Sequence, residues 1–190
     1  MKLLTILTVF FLLSCSSVTL PDNHYYRLGT SYVTVAEHKS NKKINVVTFK
    51  TEGMLGASNL LYSEQSRPNE ILQYHYHKWH KPLSSLLTES LIVYLKNNFS
   101  RDISHYNYSK SDGYLIDALV NKMEIQYDSA GSRLIVSILI TVSKDDNLLL
   151  NKTYISEKSY ETKDIYQLVT NYNDVLKDIY SDLITDLNRL

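Results

Sequence analysis

Little in this chain could staple a fold or cradle a nucleotide. It has 190 residues and one cysteine, so no internal disulfide can form and a folded domain must rely on its apolar core. Only five glycines and three prolines are present, and no Gly-rich phosphate loop of the Walker type occurs. Gly-x-Ser-x-Gly and His-Glu-x-x-His are also missing. No recognisable catalytic centre or cofactor cradle remains, and the expectation is a protein that is not an enzyme. A charge excess is lacking too: 20 basic residues face 20 acidic ones, which argues against a general binder of nucleic acid or anionic lipid. Hydrophobic residues make up 44% of the chain, enough for one domain with a sizeable core. The 16 tyrosines accompany abundant Asn, Lys, Ile and Ser, and they read mainly as composition.

The single cysteine has a distinctive setting. Met1-Lys2 is a minimal positive start, and Leu3 to Leu13 is an apolar or Thr-containing run of signal-peptide length. That run is too short to span a bilayer. It ends in Leu12-Leu13-Ser14-Cys15, which resembles the lipobox of bacterial lipoproteins. The resemblance implies cleavage between Ser14 and Cys15 and lipidation of Cys15. The division expected is a signal peptide over 1–14, a lipidated start and tether over 15–23, and one domain over 24–190. Removing Lys2 with the signal leaves 19 basic against 20 acidic residues, a net charge of −1. In that lipoprotein pattern Ser16, standing where Asp would favour the inner membrane, implies the outer membrane with the domain facing the periplasm. Ser16 to Asn23 reaches at most roughly 25–30 Å, which keeps the domain close to the lipid.

Within the domain, short β-branched and aromatic runs predict strands at His24–Leu28, Ile44–Phe49, Leu60–Ser63 and Ile71–His77. Glu64–Glu70, with Arg67-Pro68-Asn69, reads as a long hairpin tip, and Glu52–Ser58 as a loop. From Pro82 the period changes: Leu83, Leu86, Leu87, Leu91 and Tyr94 share one helical stripe, with Pro82 suited to the first turn. Ile92, Val93 and Leu95 lie off the stripe, which predicts a helix buried between the sheet and a further layer. Three longer strands follow at Tyr114–Tyr127, Arg133–Ser143 and Leu148–Tyr160, joined by turns at Asp128–Ser132 and Lys144–Asn147. The chain closes with an amphipathic helix over Asp164–Asn188, striped by Ile165, Leu168, Val169, Tyr172, Leu176, Ile179, Leu183 and Leu187. The expected class is α+β: a mainly antiparallel sheet with two principal helices packed on it, in one domain.

Two side-chain groupings invite a functional reading. His75, His77 and His80 are close in sequence, and the first two would share a strand face. They lack a carboxylate or cysteine beside them, and Lys78 and Lys81 would repel a cation, so no metal is expected. Asp174, Asp178, Asp182 and Asp186 recur every four residues along one ridge of the last helix. They read as a solvated face or, alternatively, an acidic interface for a basic partner.

Through Leu60-Leu61-Tyr62-Ser63-Glu64 and Tyr74-His75-Tyr76-His77-Lys78-Trp79-His80-Lys81-Pro82-Leu83 the sequence resembles the ABC-type transport auxiliary lipoprotein family, the PqiC-like components. There a strand hairpin leads through an aromatic residue and a Trp-x-x-Pro step into a Leu-rich helix. Here Tyr74, Tyr76, Trp79 and Pro82 stand at that step, as partner contacts or as structural anchors. Tyr25-Tyr26-Arg27-Leu28 and Ile44–Phe49 resemble the family's first two strands. His80, at a position often small or acidic in the family, departs from the pattern. The resemblance implies a docking component at the outer membrane, partnered by a mammalian-cell-entry (MCE) domain protein of an ABC lipid transporter and supporting envelope integrity. Homo-oligomers, a role in regulating another envelope complex and direct binding of a lipid in an apolar groove stay open.

Overall fold

The computed structural model describes residues 21–29, 43–99, 102–106 and 113–190. Ser14 and Cys15 lie outside these residues. Among the described residues, nine strands and two main helices form one α+β domain. They are β1 (His24–Tyr26), β2 (Lys43–Val46), β3 (Lys50–Thr51), β4 (Asn59–Glu64), β5 (Arg67–Trp79), α1 (Leu83–Asn98), β6 (Asp102–His105), β7 (Tyr114–Tyr127), β8 (Ser132–Lys144), β9 (Asn147–Tyr160) and α2 (Ile165–Leu187).

β7 organises a mixed, mostly antiparallel sheet. Along one side it carries the long antiparallel meander to β8 and β9. Along the other side it receives three short parallel partners, β2, β3 and β4. β4 and β5 form an antiparallel hairpin, while β1 adds in parallel to the end of β5, with His24 opposite His77. The Lys144-to-Asn147 turn places Asp145 and Asp146 at φ 49° and 64°, the left-handed pair that a tight hairpin needs.

Side chains alternate along β8. Leu134, Val136, Ile138, Ile140 and Val142 are fully buried under the helices, while on the other face Ser137, Leu139 and Thr141 are half-buried and Ile135 is buried. The stripe of α2 from Leu168 through Leu187 enters the same core. Asp164 caps this helix, its side chain accepting a hydrogen bond from the Gln167 backbone N–H at 2.9 Å.

Several expectations need correction. The hairpin tip is not long: β5 begins at Arg67 and pairs with Glu64, leaving Gln65-Ser66 as the turn. Pro68 is tolerated because it sits at the start of the strand. The expected Ile44–Phe49 strand ends at Val46, and pairing resumes at Lys50. Gly53–Gly56 forms a short 3-10 turn inside the expected loop. β6 was not foreseen; only Ile103 of its four residues is buried. Among the described residues no second layer covers the outer side of α1. The helix lies on the sheet beside α2, where Thr88 accepts a hydrogen bond from the Phe49 N–H at 2.9 Å and Tyr94 packs on Tyr180. Ile92 and Val93 remain half-buried.

Candidate functional site

Of the aromatic step singled out in the sequence, Tyr74 and Trp79 turn inward. Tyr74 donates its hydroxyl hydrogen to the Tyr127 oxygen at 2.6 Å and packs on Tyr62, ring centroids 4.5 Å apart. Burial, then the hydrogen bond to Tyr127, pushes the Tyr74 phenol well above its ordinary pKa. Trp79 is buried, 4% exposed, with its ring 6.0 Å from that of Tyr172. Pro82 stands just before the first turn of α1, where its carbonyl accepts from the Ser85 and Leu86 N–H groups. Tyr76 and Pro82 are exposed, Tyr74 half-buried and Trp79 buried. Through Tyr74 and Trp79 the Tyr-to-Pro segment fixes the hairpin to the core just before α1.

The histidines do not gather as their spacing suggests. β5 has irregular register between the Leu61–Gln73 and Asn59–Lys78 pairs, so strict alternation fails there. Tyr74 and His77 come into ring contact, whereas His75 packs edge-on to Tyr76. His77 stacks on His24 with centroids 4.9 Å apart, and its Nδ1 lies 2.8 Å from the Tyr26 hydroxyl. Burial, then the neighbouring His24, lowers the His77 pKa and favours the neutral ring. His80 Nδ1 meets the Tyr26 carbonyl at 3.0 Å. Among the described residues no three His, Cys, Asp or Glu side chains form a group able to hold a metal.

The acidic ridge of α2 runs beside β9 and is partly consumed within the chain. Asp178 pairs with Lys158 at 2.8 Å and accepts from Ser156 at 3.3 Å. Asp186 accepts from Lys152 at 2.7 Å and from Tyr154 at 2.9 Å, with Arg189 at 3.1 Å. Those partners hold the Asp186 carboxyl below the usual range. Asp174 and Asp182 remain exposed. Lys152, Tyr154, Ser156 and Lys158 share one face of β9, so their alternation was the signal that could have paired strand with ridge.

The lowered folded pKa of Asp186 stabilises the domain above the ordinary carboxylate pKa, and this stability is lost as pH falls through the folded value. Asp186→Asn should lower stability by about 1 kcal/mol at neutral pH. Urea midpoints of the two proteins should converge as the pH is taken below the carboxylate range.

The two ends of α2 differ in what they expose. At its start Asn23, His24, Tyr25, Tyr26 and His77 face Asp164, Ile165 and Tyr166 across an open cavity of about 680 Å³. Tyr25 and Tyr166 are 64% and 72% exposed there. At its end the Tyr114 hydroxyl donates to the Leu190 carbonyl, and Lys144 lies over the Tyr114 ring. The β8–β9 hairpin tip therefore stands beside the helix C-terminus, with Leu148 and Leu149 exposed at 63% and 41%. A 23-residue helix separates these ends by about 34 Å. A further cleft, about 500 Å³, lies between α1 and α2 and includes Val93, Tyr94, Asn97, Asn173, Lys177 and Tyr180.

The chain matches no protein-family model and no curated protein. It is similar to a crystal structure of an uncharacterized protein at TM-score 0.68 and 16% identity, over 89% of this chain and 98% of that one. It is also similar to protein XCC0632 from Xanthomonas campestris, labelled family DUF330, at TM-score 0.66 and 13% identity, over 86% and 90% of the two chains. At these identities the likeness is one of fold: a mixed sheet with two helices on one face is a shared architecture that extends across nearly the whole of both relatives.

Proposed function

We propose that this chain is an outer-membrane lipoprotein, anchored through Cys15, that serves as a non-catalytic docking component of an MCE-type ABC lipid transporter. The domain stands in the periplasm and positions the membrane-distal end of the transport assembly. Two sequence features support the reading, the lipobox at Leu12–Cys15 and the Tyr74-to-Pro82 step. The structural observation that carries it is polarity of exposure. The chain enters the domain at one end of α2, while exposed Leu148 and Leu149 mark the other. Exposed apolar side chains on a hairpin tip suit a protein contact, and an anchor at the opposite end directs that tip away from the lipid.

Crosslinking in cells followed by purification of the lipidated protein should recover an MCE-domain protein. The double variant Leu148→Lys/Leu149→Lys should reduce that recovery at least about tenfold, a loss of 1.4 kcal/mol or more, while thermal unfolding of the domain stays unchanged. Undiminished recovery from the folded double variant would remove the tip from the contact.

A further inference from the structure

We propose that the face carrying Tyr25, Ile165 and Tyr166 rests directly on the lipid surface, giving the domain an aromatic footprint in addition to its acyl chains. This inference rests on the lipid-anchor reading of Cys15.

The first argument is reach. Six residue steps separate Cys15 from Pro21, a span of at most roughly 20 Å. Whatever the tether's path, the end of the domain at Asn23 and His24 stays near the headgroups. The Leu148 tip stands about 34 Å further along α2.

The second argument is chemistry. Tyr25 and Tyr166 are the two most exposed large hydrophobic or aromatic side chains of the described residues at this end, and both line the cavity that Asn23 enters. Tyrosine favours the membrane–water boundary, where its ring meets acyl carbon and its hydroxyl meets water and headgroups. Half-buried Ile165 lines the same cavity and adds apolar surface to it. Formal charges in the flanking segments nearly cancel, Asp22, Glu161 and Asp164 standing against Arg27 and Lys163, so neither strong repulsion from an anionic leaflet nor dependence on one is built in.

The third argument is rigidity. β1 is fixed by its parallel pairing to β5 and by the contacts of His24 and Tyr26 with His77. Tyr166 occupies the first turn of a capped helix. Both rings thus project from backbone already held in place, and little ordering is required when they meet lipid.

The test uses the full lipidated chain in vesicles of phosphatidylethanolamine and phosphatidylglycerol that contain a headgroup-nitroxide lipid. Tyr25→Trp and Tyr166→Trp report on the face, and Leu148→Trp is the distal control; native Trp79 is buried and present in all three. Emission from the first two should be quenched at least about twofold more than from the control. Mass spectrometry and vesicle flotation of the same samples separate the premises. A chain without lipid that does not float overturns both the anchor and the footprint. A lipidated, floating chain with Tyr25→Trp and Tyr166→Trp quenched no more than Leu148→Trp overturns the footprint alone.

Discussion

Trp79→Ala should destabilise the domain by about 3–5 kcal/mol. The indole is 4% exposed, packs on Tyr172 and lies in the continuous core shared by the sheet and both helices. Tyr172 is itself buried on α2, so deleting the indole opens a cavity between the end of β5 and that helix. Neither side can close the gap freely, because β5 is tied to β1 and β4 while α2 is tied to β9. Against a typical domain stability of about 5–15 kcal/mol, the loss is large enough to lower cellular abundance by itself. A urea titration measures it. Tyr76→Ser, at an exposed position on the same strand, should stay within about 0.5 kcal/mol of wild type. If Trp79→Ala instead kept wild-type stability and lost only a partner, the residue would be a contact and its assignment to the core would be wrong.

Cys15→Ala should release the protein from the membrane without altering the domain's thermal unfolding. Each buried methylene contributes about 0.8 kcal/mol, and stable anchoring requires more than one acyl chain. On the proposed anchor, the variant removes the attachment point of every acyl chain while leaving residues 24–190 untouched. Fractionation should move it from membrane to soluble material, and resistance of the cell to detergents should fall as in a deletion strain. A soluble variant that restores full resistance would make the anchor incidental. Loss of resistance with membrane retention would point to attachment through another group.

How much of this was legible in the sequence depends on whether the determining contacts are local. The α2 stripe and the β8 alternation are periodicities of one element, and both survive folding because each element buries a single face. The two hairpins of the meander were legible from their turns. Strand order was not. β1, β2, β3 and β4 find parallel partners through long connections, and nothing in Lys50-Thr51 announces a bridge to Leu119-Val120. β6 is four residues with one buried side chain, too brief for a period to register. The aromatic step was legible as a motif, while its role required coordinates: Tyr74 and Trp79 turn inward because irregular register in β5 redirects the strand between them. The same irregularity separates His75 from His77. The acidic ridge was read from α2 alone, and its lysine partners became evident only when β9 was laid beside it.

Site-specific photocrosslinking in living cells from a probe at Leu148, with a probe at Tyr166 as the opposite end, distinguishes the two ends of the domain. The Leu148 probe should capture an MCE-domain protein and the Tyr166 probe should capture lipid. Capture by the Leu148 probe of peptidoglycan synthases or lipopolysaccharide-assembly factors, with no MCE-domain protein, would contradict the proposed docking.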